Sequence, residues 1–312
     1  MSVATTTPTS QAAKLTGRKG QRRWLESVMH TILWLCAAAS VFTTVGIVLI
    51  LLVESLQFFS KVSIVEFLTG TTWTPHADPP RFGILPLACG TFLVAGGSAL
   101  LAIPLGLGAA IYLSEYASPG VRDVLKPVLE ILAGIPSVVF GYLAIVFISP
   151  MVREVFPGAD IFNALNASIV VAIMILPMIV SLSEDVLRSV PRTLREGAYA
   201  LGATKLDVTV GVVVPAALSG IMASFLLAIA RAVGETMAVA LAAGKRPTLT
   251  LNPLESIQTM TAYIVETSKG DTPRGTLGYQ TIFAVGLTLF LSTLALNVLA
   301  QWILKHMREK YE

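Results

Sequence analysis

From Thr31 to Val53 the chain runs without a charged side chain, and Phe82 to Ser114, Ile131 to Val152, Ile161 to Ser183 and Gly275 to Leu304 are runs of similar or greater length. An uncharged stretch of about 18 residues or more spans the hydrocarbon core of a bilayer as a helix, the conformation that satisfies each backbone N–H and C=O without water. Hydrophobic residues make up 54% of the 312 positions and charged residues 13%. That is about half the charge of a soluble domain, which excludes a water-soluble fold.

One region resists simple division. Between Val208 and Gly244 only Arg231 and Glu235 are charged, and the stretch is too long for one span of about 20 residues. Pro215 lacks a backbone donor and disfavours helix in the residue before it, so it predicts a break, with a fifth span from about Leu218 to Ala243. The expected fold class is all-α integral membrane with six transmembrane helices. Its expected parts are a basic N-terminal segment over 1–28, disordered to about residue 20, a first transmembrane helix over 29–58 and a five-helix core over 82–304. A cytoplasmic loop over 186–217 interrupts that core, and a tail covers 305–312. Pro86 and Pro104 predict kinks in the second span. Ala37-Ala38-Ala39 imitates a signal-peptidase site, but the apolar run continues to Val53 and predicts an uncleaved span. Cys36 and Cys89 lie inside apolar spans, where a thiol behaves as a small hydrophobe.

The basic residues predict orientation. Lys14, Arg18, Lys19, Arg22, Arg23, Arg122, Lys126, Arg188, Arg192, Arg195, Lys205, Lys305, Arg308 and Lys310 fall on one side of a six-span chain. Lys61, Arg81, Arg153, Lys245, Arg246, Lys269 and Arg274 fall on the other. The richer side is cytoplasmic, which places both termini there. The net charge of +3 expresses this asymmetry rather than a nucleic-acid footprint.

The segment from Arg188 to Gly202 has the punctuation of a short helix: Pro191 suits its first turn and Gly202 its end. Leu194, Ala198 and Leu201 form a narrow apolar stripe flanked by Arg192, Arg195 and Glu196, a face suited to a partner's groove. Enzyme chemistry has no footing. There is no phosphate-cradling G-x-x-x-x-G-K-[ST] loop and no G-x-S-x-G or H-E-x-x-H motif, and His30, His76 and His306 sit in separate segments, so neither a metal nor a cofactor is expected.

Glu196-Gly197-Ala198, three residues, Gly202, nine residues, then Val212-Val213-Val214-Pro215 resembles the EAA loop of ABC importer permeases, whose fold is the MetI-like one. Gly197 replaces the second alanine of that pattern, and Val212 and Val214 stand where Ile and Leu are commoner. The resemblance implies that Glu196, Gly197, Ala198, Gly202 and Pro215 couple the chain to a cytoplasmic ATPase, which would bind the ATP and magnesium. An ordinary surface helix capped by Gly202 is the plainer alternative.

Phe82 to Pro86, Ile103 to Gly108, Ala133 to Gly141 and Arg231-Ala-Val-Gly-Glu-Thr-Met237 resemble PstC-type permeases of the bacterial high-affinity phosphate importer. The implied partners are a second, PstA-type permease, a PstB-type ATPase dimer, and a PstS-type phosphate-binding protein on the external face, where the loops carrying Trp73 and Tyr263 are expected. Trp73 would equally suit an interfacial anchor. Arg231 is expected near the middle of its span, with Glu235 one turn on, so that the two meet on one face beside Gly234. They read either as the translocation path for an oxyanion or as a buried structural ion pair. Glu130, Glu184 and Asp185 read as solvated helix ends, while Gly134, Pro136 and Gly141 read as packing residues or a kinked gate. Sulfate or molybdate permeases are the alternatives within the class, and an ion-coupled secondary transporter, a channel or a membrane sensor those outside it.

Overall fold

A computed structural model of the chain describes residues 10–270, 272–273 and 275–307. Arg274, Arg308 and Lys310, and the first nine residues of the segment expected to be disordered, lie outside these. Helix α1 runs from Ser10 to Phe59. Residues 10–20 are included in it, and Ala, Lys, Leu, Gln and Arg there are residues that extend a helix readily. The part of α1 up to Val53 forms a unit of its own. Among its described side chains, apolar residues such as Leu33 and Phe42 are exposed.

The second unit begins at Glu54 and carries a short helix α2 (Ile64–Thr69), a hairpin of strands β1 (Trp73–Thr74) and β2 (Arg81–Phe82), and helix α3 (Leu85–Ile111), which ends in a π-helical turn at Tyr112–Tyr116. An amphipathic helix α4 (Pro119–Gly134) follows. The next span is α5 (Ser137–Leu143), a π-helical turn at Ala144–Ile148, and α6 (Ser149–Val155). Helix α7 (Ala164–Ser189) is the most buried. After it come α8 (Arg192–Ala200), α9 (Lys205–Val208), a third π-helical turn at Thr209–Val213, and α10 (Val214–Val233). Helices α11 (Met237–Ala242), α12 (Met260–Lys269) and α13 (Leu277–Met307) complete the chain.

Among the described residues, six helical stretches are long and apolar enough to cross a membrane, as expected: Glu26–Phe59, Leu85–Tyr116, Ser137–Val155, Ala164–Ser189, Lys205–Val233 and Leu277–Lys305. Two boundaries differ from expectation. Residues 131–134 belong to α4 rather than to the third span, because Pro136 drives Ile135 into extended backbone (ψ 129°) and restarts the helix at Ser137. Pro215 does not divide the fifth stretch. The π turn before it moves the hydrogen-bond ladder by one residue, Val214 N–H reaching Thr209 O, so that helix passes through a residue with no donor. The break comes instead at Gly234–Thr236.

Small residues set the packing. A Cβ on Gly97 would stand 2.6 Å from Ser168 Oγ and one on Gly106 2.7 Å from Ile179 Cγ2, so α3 and α7 approach almost backbone to side chain. Gly220 does the same for α10 against Val186 of α7, and the buried Ser183 and Ser224 hydroxyls share a 2.7 Å hydrogen bond across that contact. At the hairpin end, Gly70 and Gly83 meet backbone to backbone, each Cβ position lying 2.6 Å from the other's Cα. Gly83→Ala is therefore expected to destabilise the protein by about 1–3 kcal/mol in a thermal melt in detergent. Gly96→Ala, which meets no atom within 4 Å, serves as the near-neutral control.

Candidate functional site

Helix α8 forms where the sequence predicts it. Pro191 precedes it in extended backbone (ψ 138°), and the chain leaves it through Gly202 at φ +85°. The exit is a Schellman motif: Ala203 N–H donates to Ala198 O and Gly202 N–H to Tyr199 O. Gly202 is needed there because a side chain in the left-handed region costs about 1–2 kcal/mol. No residue of α8 is buried. The expected apolar stripe is split, since Ala198 packs inward against the cluster of Leu187, Val190, Val208 and Val213, while Leu194 stays exposed and Leu201, just past the helix, is 90% exposed. Glu196 is also exposed, and Gly197 has open space where a Cβ would stand. Pro215 lies apart from this group, within helix at the start of α10. The loop is thus 190–204, not 186–217.

Behind α8 lies a polar cluster that sequence reasoning missed. Glu184, expected at a solvated helix end, is 2% exposed. Its carboxylate sits 3.2 Å from Arg122 Nε, 3.0 Å from Lys126 Nζ and 3.5 Å from Arg188 Nη1. The Arg122 contact is close in charge but off the line of the N–H bond, so that Nε has no hydrogen-bond partner. Asp185 is exposed and accepts from Lys126 at 2.9 Å. Hydrogen bonds to Asp185 and then Glu184 hold the Lys126 ammonium above its ordinary pKa. Glu115, at the end of α3, pairs with Arg195 of α8 at 3.2 Å. The missed signal was Arg122 and Lys126 at i, i+4 on an amphipathic helix, opposite a carboxylate pair. A cleft of about 340 Å³ opens beside the cluster, between α4 and α7, with Leu113, Leu129, Met178 and Leu182 in its wall. Glu130 is exposed, as expected of a helix end.

Arg231 and Glu235 do not meet on one helix face. Arg231 occupies the last turn of α10 rather than its middle, and the helix ends at Gly234. No ion pair among the described residues joins the two. Arg231 is exposed. Glu235 instead accepts from Ala238 N–H at 3.3 Å through Oε1, and its backbone carbonyl accepts from the Thr261 hydroxyl at 2.8 Å. Among the described residues the two thus form no buried ion pair with each other. Unwound backbone at membrane depth persists only where protein or a water-filled cavity covers it. Nearby, Gly141 packs against Leu241 and Ala238, Pro136 makes the helix break, and Gly134 faces open space.

On the opposite end, Trp73 is 2% exposed, so it is a core residue and not an interfacial anchor. It stacks edge-on with Phe67, Phe82 and Tyr263. Burial pushes the Tyr263 hydroxyl above its ordinary pKa. A cleft of about 630 Å³ beside them is lined by His76, Lys245, Gln258 and Glu266.

This architecture is the MetI-like fold of ABC importer permeases. The chain superposes with a TM-score of 0.63 at 14% identity on a chain from a bacterial ABC transporter involved in the import of the acidic polysaccharide alginate, covering 94% of this chain and 99% of that one. Against a chain of the MetNI methionine ABC transporter in an inward-facing conformation the TM-score is 0.54 at 17% identity, covering 72% and 96%. Residues 102–310 match the family of binding-protein-dependent transport system inner membrane components, and the chain belongs to that family. It is therefore a multi-pass inner-membrane transport component and not an enzyme, which sets aside the secondary transporter, channel and sensor. Among its relatives are the probable ABC transporter permease protein YqgH of Bacillus subtilis, 37% identical over 91% of this chain and 92% of the relative, and the phosphate transport system permease protein PstC of Mesorhizobium japonicum, 32% identical over 83% and 84%. The PstC of Haemophilus influenzae is 31% identical over 92% and 95%.

Proposed function

We propose that the chain is the PstC-type permease of an ATP-driven importer that carries inorganic phosphate across the inner membrane, with both termini cytoplasmic. The observation that carries this reading is the exposed Arg231 beside a helix break, in a chain whose relatives include phosphate permeases over most of its length. A guanidinium offers a planar fork of donors that matches phosphate oxygens and stays charged at any working pH. Glu235, whose carboxylate accepts from the Ala238 amide across the same helix break, limits how tightly the anion is retained.

In this reading a PstA-type permease completes the path, and a PstB-type ATPase dimer seats the exposed Glu196, Gly197 and Leu201 of the coupling segment. Gly202 shapes that segment and Ala198 anchors it from within. Pro215 stands beyond that segment, in helix at the start of α10. ATP and magnesium are bound by the ATPase, and this chain holds no cofactor. A PstS-type binding protein docks on the end that carries Trp73, His76 and Lys245.

The test is uptake of radiolabelled phosphate at low micromolar concentration in cells lacking the chain, with complementation and an excess of sulfate. Sulfate-resistant, ATP-dependent uptake restored by the intact chain is expected. Arg231→Gln, in a normally assembled complex, is expected to cut uptake roughly tenfold to a hundredfold, the worth of a lost charge-assisted hydrogen bond. Sulfate-sensitive rescue would transfer the reading to another oxyanion, and full uptake by the Gln variant would overturn the role of Arg231.

A further inference from the structure

Two arginines in the cluster behind α8 each hold two elements at once. Arg195, on α8, donates through Nη2 to the Leu187 carbonyl at the end of α7 at 2.7 Å and pairs through the same nitrogen with Glu115 at the end of α3. Arg122, on α4, donates through Nη2 to the Leu113 carbonyl in that same π turn at 3.4 Å and lies against Glu184 of α7 through Nε. Traced round, α8 is tied to α3 and α7, α3 to α4, and α4 to α7, which closes a circuit of two ion pairs and two arginine-to-carbonyl hydrogen bonds.

Both carboxylates in the circuit are enclosed, Glu115 at 7% and Glu184 at 2% side-chain exposure. Ion pairs on an open surface detach easily. A buried carboxylate cannot shed its cation without a large penalty, so these contacts follow one another when an element moves. Ser114 Oγ, donating to Glu115 Oε1 at 2.8 Å, further fixes the orientation of that group.

We propose that Arg195, Glu115, Arg122 and Glu184 are positioning residues that carry displacement of α8 into α4 and the end of α3, so that movement imposed on the coupling segment changes the cleft between α4 and α7. The circuit acts beyond the surface of α8 that meets another protein. This rests on the reading of the chain as an ATP-driven importer subunit.

The experiment uses the assembled complex in proteoliposomes and measures ATP hydrolysed per phosphate taken up, with co-purification of the ATPase as the check on assembly. Arg195→Gln and Glu115→Gln are expected to leave assembly and basal hydrolysis in place while raising the ATP consumed per phosphate roughly tenfold. Arg195→Lys, which keeps the charge, is expected to recover most of the coupling, and the exchange Glu115→Arg with Arg195→Glu part of it. An unchanged ratio in assembled Glu115→Gln complexes overturns the proposal, and that near-isosteric variant decides the matter if Arg195→Gln fails to assemble. Should the unaltered complex drive another oxyanion instead of phosphate, the substrate assignment fails while the ratio for that anion still tests the circuit.

Discussion

Alanine at both Arg122 and Lys126 is expected to lower stability by about 3–5 kcal/mol, seen as an earlier thermal transition of the detergent-solubilised protein. The two substitutions strip Glu184 of its nearest cations and leave only Arg188, at 3.5 Å and itself half-exposed, against a carboxylate with 2% exposure. The cost comes from the stranded charge, not from the lost attraction. A triple variant that adds Glu184→Leu is therefore expected to regain most of the loss, since Ala110, Leu187, Val213 and Ile221 already form an apolar cluster at this end. If the triple variant is no more stable than the double, burial of Glu184 is not what the cations offset.

Trp73→Ala is expected to cost a similar amount, about 3–5 kcal/mol, the usual range for emptying a buried tryptophan site. Trp73 joins the hairpin to Phe67 of α2, Phe82 of β2 and Tyr263 of α12. Among the described residues no other side chain touches all three segments through aromatic contacts. Losing it loosens the loops at this end of the molecule while α8 and its Schellman exit stay formed. In the reading proposed above, hydrolysis stimulated by the binding protein falls and basal hydrolysis persists. Equal loss of both would mean that the aromatic cluster supports the whole molecule.

The spans and helix α8 were legible because each rests on a local rule. An uncharged run long enough for a bilayer needs a helix, and Pro191 and Gly202 delimit α8 by their own backbone preferences. What was missed depends on residues far apart in sequence. Glu184 looks like a solvated helix end until α4 folds back to bring Arg122 and Lys126 beside it. Pro215 reads as a break because proline removes one ladder bond, and only the preceding π turn, invisible in composition, absorbs the loss. That error placed Arg231 in mid-span and paired it with Glu235. Trp73 was ambiguous because burial of an indole is decided by partners from α2, β2 and α12 together.

The three π-helical turns, at residues 112–116, 144–148 and 209–213, bear on how this chain is compared with its kin. A π turn holds one residue more than an α turn, so a helix can absorb a one-residue difference in length there without opening a loop. A relative one residue shorter at any of these places has an ordinary α turn. The helix before it is then rotated by about 100° relative to the helix after it. Gaps in an alignment of such chains belong inside these helices, and at 209–213 the position of a gap sets the direction in which α8 faces.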